Sequence, residues 1–111
     1  MGFYMIQGCY TQTAMKHLTQ HPENRSKAGA AVVKALGGKL HQYFMSFGEH
    51  DFVAIVEMPD DQATAALSMV LGSAGHLTGI KTTKLMTGEE AKSAMQAAGG
   101  AASTLVLPKG K

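Results

Sequence analysis

Cysteine occurs once in 111 residues, at Cys9, and tryptophan does not occur. A single cysteine excludes an internal disulfide and any cysteine-based zinc set, and it fits a reducing cytoplasm. Charge is sparse as well: 16% of residues are charged and the formal net charge is +2. With no cluster of Lys and Arg, nucleic acid is not an expected partner. No apolar run approaches the ~20 residues of a membrane span, so no membrane partner is expected. Met1-Gly2 runs straight into FYMIQGCY with no basic lead, so no signal peptide is expected. Ile6 stands where a myristoylation signal needs Ser or Thr. Gly37-Gly38, Gly72 and Gly75 lack the Lys-Ser/Thr of a phosphate loop, and neither GxGxxG nor a Ser-His-Asp signature occurs. No cofactor is therefore expected.

What is present is apolar: hydrophobic residues make up 45% of the chain. That suits one globular domain, able to bury roughly two thirds of its unfolded surface. Phe3–Thr11, rich in aromatic and branched residues, reads as a strand. Thr11 can cap a helix over Gln12–Thr19. His21-Pro22 forces a restart, with Pro22 in the first turn of a second helix that runs to Leu36. Ala28, Val32, Ala35 and Leu36 form its expected buried stripe, and Gly37-Gly38 ends it.

Lys39–Phe47 is the second expected strand. Leu40, Gln42, Phe44 and Ser46 should face one way, and His41, Tyr43, Met45 and Phe47 the other. A turn at Gly48-Glu49-His50 leads to a third strand, Asp51–Met58. Gly48 is expected to adopt a conformation closed to other residues. Pro59-Asp60-Asp61 opens a helix to about Gly75, with Ala63, Ala66, Leu67 and Val70 on its apolar face. Leu77–Met86 is the fourth strand. Thr87 caps a last helix, with Glu90 at capping-box spacing. Residues 1–96 form the expected domain and 97–111 a flexible C-terminal extension.

The order β-α-β-β-α-β is the split βαβ, ferredoxin-like plan with an antiparallel sheet, an α+β fold. Right-handed crossovers place both helical layers on one sheet face. The third strand is nevertheless apolar on both sides, with Phe52, Ala54 and Val56 against Val53 and Ile55. The first is similar, with Phe3, Met5 and Cys9 against Tyr4, Ile6 and Tyr10. The face without helices needs a cover. Two sheets packed across a twofold axis supply one, so at least a homodimer is expected.

The run FGEHDFVAIVEMPDD, preceded by GGKL and followed by HLTGIKTTKLMT, resembles the GYD-domain family of small bacterial proteins. The likeness spans Tyr4 to Glu90. The family's Gly followed by Tyr-Asp reads here Gly48-Glu49-His50-Asp51, with His50 in place of the tyrosine. The resemblance implies a ferredoxin-like subunit of the dimeric α+β barrel type and implies no particular reaction. The Gly-x-x-Asp turn with a late Thr-rich strand is also similar to the effector-binding domain of leucine-responsive regulatory proteins, which implies a stand-alone sensor. The fold hosts cofactor-free monooxygenases and isomerases too, and fold alone does not choose among these.

In this plan the end of the first strand lies beside the starts of the third and fourth. Cys9, Tyr10, His50, Asp51 and His76 therefore converge at one sheet edge. His50 and His76 are the candidate acid/base groups, although strand parity opposes a His50–Asp51 dyad. Asp51 reads as a carboxylate that accepts N–H groups of the turn. Tyr4, Cys9, Tyr10, Tyr43, Met45 and Asp51 are the candidate ligand contacts; the tyrosines and Met45 line the space between sheets if their face is the interfacial one, and the sequence leaves open which face that is. Cys9 reads as a small buried hydrophobe. His17 and His21 have metal-ligand spacing on a helix, but Pro22 breaks the geometry, so no metal site is expected. His41 belongs to the opposite sheet end.

The sequence thus points to a cytoplasmic homo-oligomer that binds a small apolar or aromatic ligand in a sensor-like role. The alternatives are a cofactor-free oxygenase or isomerase using a histidine, and a purely structural assembly subunit.

Overall fold

The computed structural model describes residues 1–109. Its elements are β1 (Gly2–Tyr10), α1 (Gln12–Gln20), α2 (Ser26–Ala35), β2 (Lys39–Met45), β3 (Phe52–Met58), α3 (Asp61–Ser73), β4 (Leu77–Leu85) and α4 (Gly88–Ala101), then a 3₁₀ turn at Ala102–Thr104. The four strands form one antiparallel sheet in the order β2-β3-β1-β4. This is the ferredoxin-like α+β arrangement that the element order implies.

Local chemistry starts three of the helices. The Thr11 side chain accepts the Ala14 N–H, and the Asp60 side chain accepts that of Ala63 at 2.8 Å. Thr87 and Glu90 form a reciprocal capping box. The restart of α2 differs from expectation. Pro22 lies outside the helix, which begins at Ser26. The Asn24 side chain accepts both the N–H (3.0 Å) and the hydroxyl of Ser26. This local bond holds residues 22–25 out of the helix.

Packing shifts two helical stripes as well. Ala28 and Ala35 are exposed, while Val33 is buried, and Val32, Leu36 and Gly29 are half-buried. In α3 the buried residues are Thr64 and Leu67, and Val70 stands largely exposed. The Thr64 hydroxyl donates to the Asp60 carbonyl at 2.9 Å, which lets a polar residue sit in the core. Gly37 takes the left-handed conformation (φ 84°) that ends α2. Gly48 does not have positive φ; its turn bends through ordinary backbone angles.

The core lies between the sheet and α2 and α3. Tyr4, Ile6, Phe52, Val56 and Met58 meet Val33 and Leu67 there. β1 and β3 alternate as their sequences imply. β2 does not, because its pairing with β3 shifts between Leu40 and Gln42. An extra residue in one strand reverses the alternation beyond it. Leu40 pairs with Val56 and Tyr43 with Ala54, so both face the helices. Phe44, opposite Val53, faces away and is 56% exposed. The strand ends at Met45, and Phe47 is fully exposed.

The outer sheet face presents Phe3, Met5, Phe44, Val53 and Ile55. α4 does not cover it: no residue of α4 is buried, and its main contacts are with the 3₁₀ turn. The helix also continues past Gln96 to Ala101, where a flexible segment was expected. The molecule measures 62 × 37 × 21 Å, with a radius of gyration of 18.5 Å. A compact domain of this length has one of about 13 Å. No helix among the described residues is long and apolar enough to cross a membrane.

Candidate functional site

The converging sheet edge is stitched together by backbone. The Asp51 N–H donates to the Gly8 carbonyl at 2.8 Å, and the Asp51 carboxylate accepts the Tyr10 N–H at 2.9 Å. The Thr11 N–H donates to the His76 carbonyl at 2.8 Å. Asp51 therefore serves the end of β1 rather than the N–H groups of its own turn, which is the correction to its expected partners. Ser46 closes the turn, its hydroxyl donating to the His50 carbonyl at 2.6 Å.

Next to this edge, between the helical face of the sheet and α2 and α3, lies a chamber of about 240 Å³. Its walls are the side chains of Ile6, Val33, Leu40, Phe52, Val56 and Leu67, among others. Among the described residues, four polar side chains line it: Tyr10, Arg25, Tyr43 and His76. All four belong to one end, where β1 finishes and β4 begins. There the Tyr10 and Tyr43 hydroxyls are hydrogen-bonded to each other, and the Phe52 ring lies 5.8 Å from that of Tyr10 and 5.9 Å from that of Tyr43.

Burial pushes the Tyr43 phenol well above its ordinary value, and the Tyr10 hydroxyl adds to the effect. Tyr43 is thus a proton donor at any physiological pH. The Arg25 guanidinium bonds the Glu23 carboxylate across the loop before α2. That partner raises its pKa further, so the charge is permanent. Tyr10, Arg25 and His76 also line a second recess, shared with His17 and Glu23. These three side chains stand where the two spaces meet.

The candidate residues separate into those the structure brings together and those it does not. Tyr10, Tyr43 and His76 share the chamber. They do so on the sheet face that meets the helices. Tyr4 is on the same sheet face but at the far end, where its hydroxyl donates to the Asp61 carboxylate. Lys84 lies 2.9 Å from that carboxylate. Cys9 is on the outer face, half-buried, with its thiol donating to the Glu49 carbonyl at 3.4 Å. Met45 is exposed at the end of β2 and lines neither space. His50 lies in the turn, its ring nitrogen 3.8 Å from the Glu49 carboxylate, and it lines neither space. His41 pairs with Glu57 at 2.9 Å at the opposite end.

The His17 and His21 rings lie 4.8 Å apart. Among the described residues no group of three or more His, Cys, Asp or Glu side chains is placed to hold a metal. Arg25 lines the chamber and is not among the candidates read from the sequence. It is the one arginine among ten basic residues, and that isolation is the signal that could have marked it. A lysine there would serve a solvated surface equally well, whereas arginine offers a planar fork of donors.

The GYD domain model matches residues 4–95, a span that contains every residue lining the chamber. The chain belongs to the GYD domain family. Comparison with curated proteins gave no match. In this member the Gly-to-Asp turn carries His50, and Asp51 anchors the turn to β1.

Proposed function

We propose that this GYD domain protein is a small-molecule-binding module that acts as a homo-oligomer. The observation that carries the reading is the chamber: a partly open apolar space between sheet and helices, with its few polar groups gathered at one end. Ligand sites take this form, apolar walls with a small number of placed polar groups that fix orientation. The uncovered outer face supports self-association, since Phe3, Met5, Val53 and Ile55 form an apolar strip that a second copy can bury.

A thermal-shift screen of purified protein against a metabolite panel tests the ligand reading. A ligand that binds only the folded chain raises the melting temperature. Gly29→Phe, placed in the chamber wall, should remove that rise. Stabilisation by no compound, or a rise unchanged in Gly29→Phe, overturns it.

One observation favours a second reading, a cofactor-free oxygenase or isomerase. His76 lines the chamber with Tyr10, which supports a role for it in moving a proton on a bound substrate. His50 is not so placed. Turnover of an activated phenol or lactone that disappears in His76→Ala, but not in His50→Ala, would select this reading.

A further inference from the structure

We infer that the chamber selects an apolar carboxylate, with its tail between the sheet and α2 and α3 and its carboxylate at Arg25. This inference rests on the small-molecule reading above and names the ligand class.

Charge comes first. The lining contains one permanent cation, Arg25, and no carboxylate. A neutral ligand would leave that cation unused, and a cationic one would be repelled by it. Glu23, the present partner of Arg25, lies outside the chamber lining on an exposed loop, with its side chain 49% accessible. Such exposed pairs are weak. Glu23 occupies Nη1 alone among the five N–H donors of the guanidinium. A ligand carboxylate can therefore bond the remaining donors or displace Glu23 from its own.

The tyrosine pair supplies a second determinant. Two phenol hydroxyls carry two protons, and only one can lie between the oxygens of Tyr10 and Tyr43. The other is left for a further acceptor. A carboxylate has two oxygens, one for the guanidinium and one for the phenol, which fits both donors at once. An ammonium has no acceptor to offer, and an alcohol accepts through one neutral oxygen in place of two charged ones.

Size bounds the tail. A cavity of about 150 Å³ binds benzene, so the chamber of about 240 Å³ has room for about ten non-hydrogen atoms. A medium-chain fatty acid or a small aromatic acid has that bulk.

Calorimetric titration with octanoate, 1-octanol and octylammonium tests the inference on the full chain. Octanoate should bind at least about tenfold more tightly than either analogue, because a charged hydrogen bond is lost with each. Arg25→Gln should weaken octanoate by about ten- to a hundredfold and leave octanol unchanged. Gly29→Phe should abolish binding of both. Should that variant misfold, octanoate-induced shifts of the Val33 and Leu67 methyl resonances in the wild-type protein report the same location. Octanol binding as tightly as octanoate, or octanoate indifferent to Arg25→Gln, overturns the carboxylate inference while the chamber reading stands. Binding of none of the three, or binding that leaves those methyl resonances unmoved, overturns both.

Discussion

The carboxylate of Asp51 accepts the backbone N–H of Tyr10 at 2.9 Å, while the Asp51 N–H reaches the Gly8 carbonyl at 2.8 Å. One residue thereby ties the β2–β3 turn to the end of β1 and sets the strand that carries Tyr10. Asp51→Ala should cost about 1–3 kcal/mol, since it leaves a half-buried N–H without its partner. Asp51→Asn should cost less, because the amide oxygen can still accept. Urea denaturation midpoints of the three proteins check the order.

Tyr43 fixes the behaviour of the chamber at high pH. Its folded pKa is raised above the unfolded value of about 10. The folded state then holds a proton that the unfolded state releases. Its contribution to stability is complete below the unfolded pKa and is lost as pH rises through the folded one. Spectrophotometric titration of tyrosinate should show one of the three tyrosines ionising late, and Tyr43→Phe should remove that phase.

Asp61 acts at the other end of the sheet and in the other direction. The Tyr4 hydroxyl first, then the Lys84 ammonium, hold its carboxyl below the ordinary carboxylate range. The stability that this confers is present above the unfolded value of about 3.9 and is lost as pH falls through the depressed folded one. Asp61→Asn should lower the neutral plateau of a melting-temperature profile slightly and flatten its acid limb, so that variant and wild type converge at low pH.

Two glycines should respond oppositely to alanine. At Gly29, inside α2, an added Cβ meets only Leu40 Cδ2 at 4.0 Å. Gly29→Ala should stabilise by about 0.5–1 kcal/mol through helix propensity. At Gly38 the Cβ would lie 2.6 Å from the Glu57 carbonyl oxygen. Gly38→Ala should destabilise, because backbone on both sides must move. Melting temperatures of the two variants separate the cases.

Ile55→Glu places a charge in the middle of the outer apolar strip. If a second copy covers that strip, light scattering should give a mass of at least two chains for the wild type and one for the variant. A single-chain mass for the wild type at micromolar concentration overturns the self-association reading.

Much of the fold was legible because its signals are local. Thr11, Asp60 and Thr87 mark helix starts by side chains that reach backbone only three residues away. The apolar alternation of β1 and β3 needs only the period of a strand. The convergence of Tyr10, Asp51 and His76 followed from strand direction alone. The candidate site was less legible. Leu40 and Tyr43 were assigned to opposite faces, Met45 was included and Arg25 was not.

These differences share a physical origin. The sequence by itself determined the order of elements, the caps, and the presence of more apolar strand surface than two helical layers can cover. Each depends on residues within a few positions of one another. Only the tertiary structure decided that β2 bulges between Leu40 and Gln42, because a bulge is a mismatch between two strands and belongs to their pairing. That mismatch turns Tyr43 toward the helices, where its hydroxyl meets Tyr10. The chamber itself is the space left when α2 and α3 settle on the sheet, and no short stretch of sequence encodes a gap between distant segments.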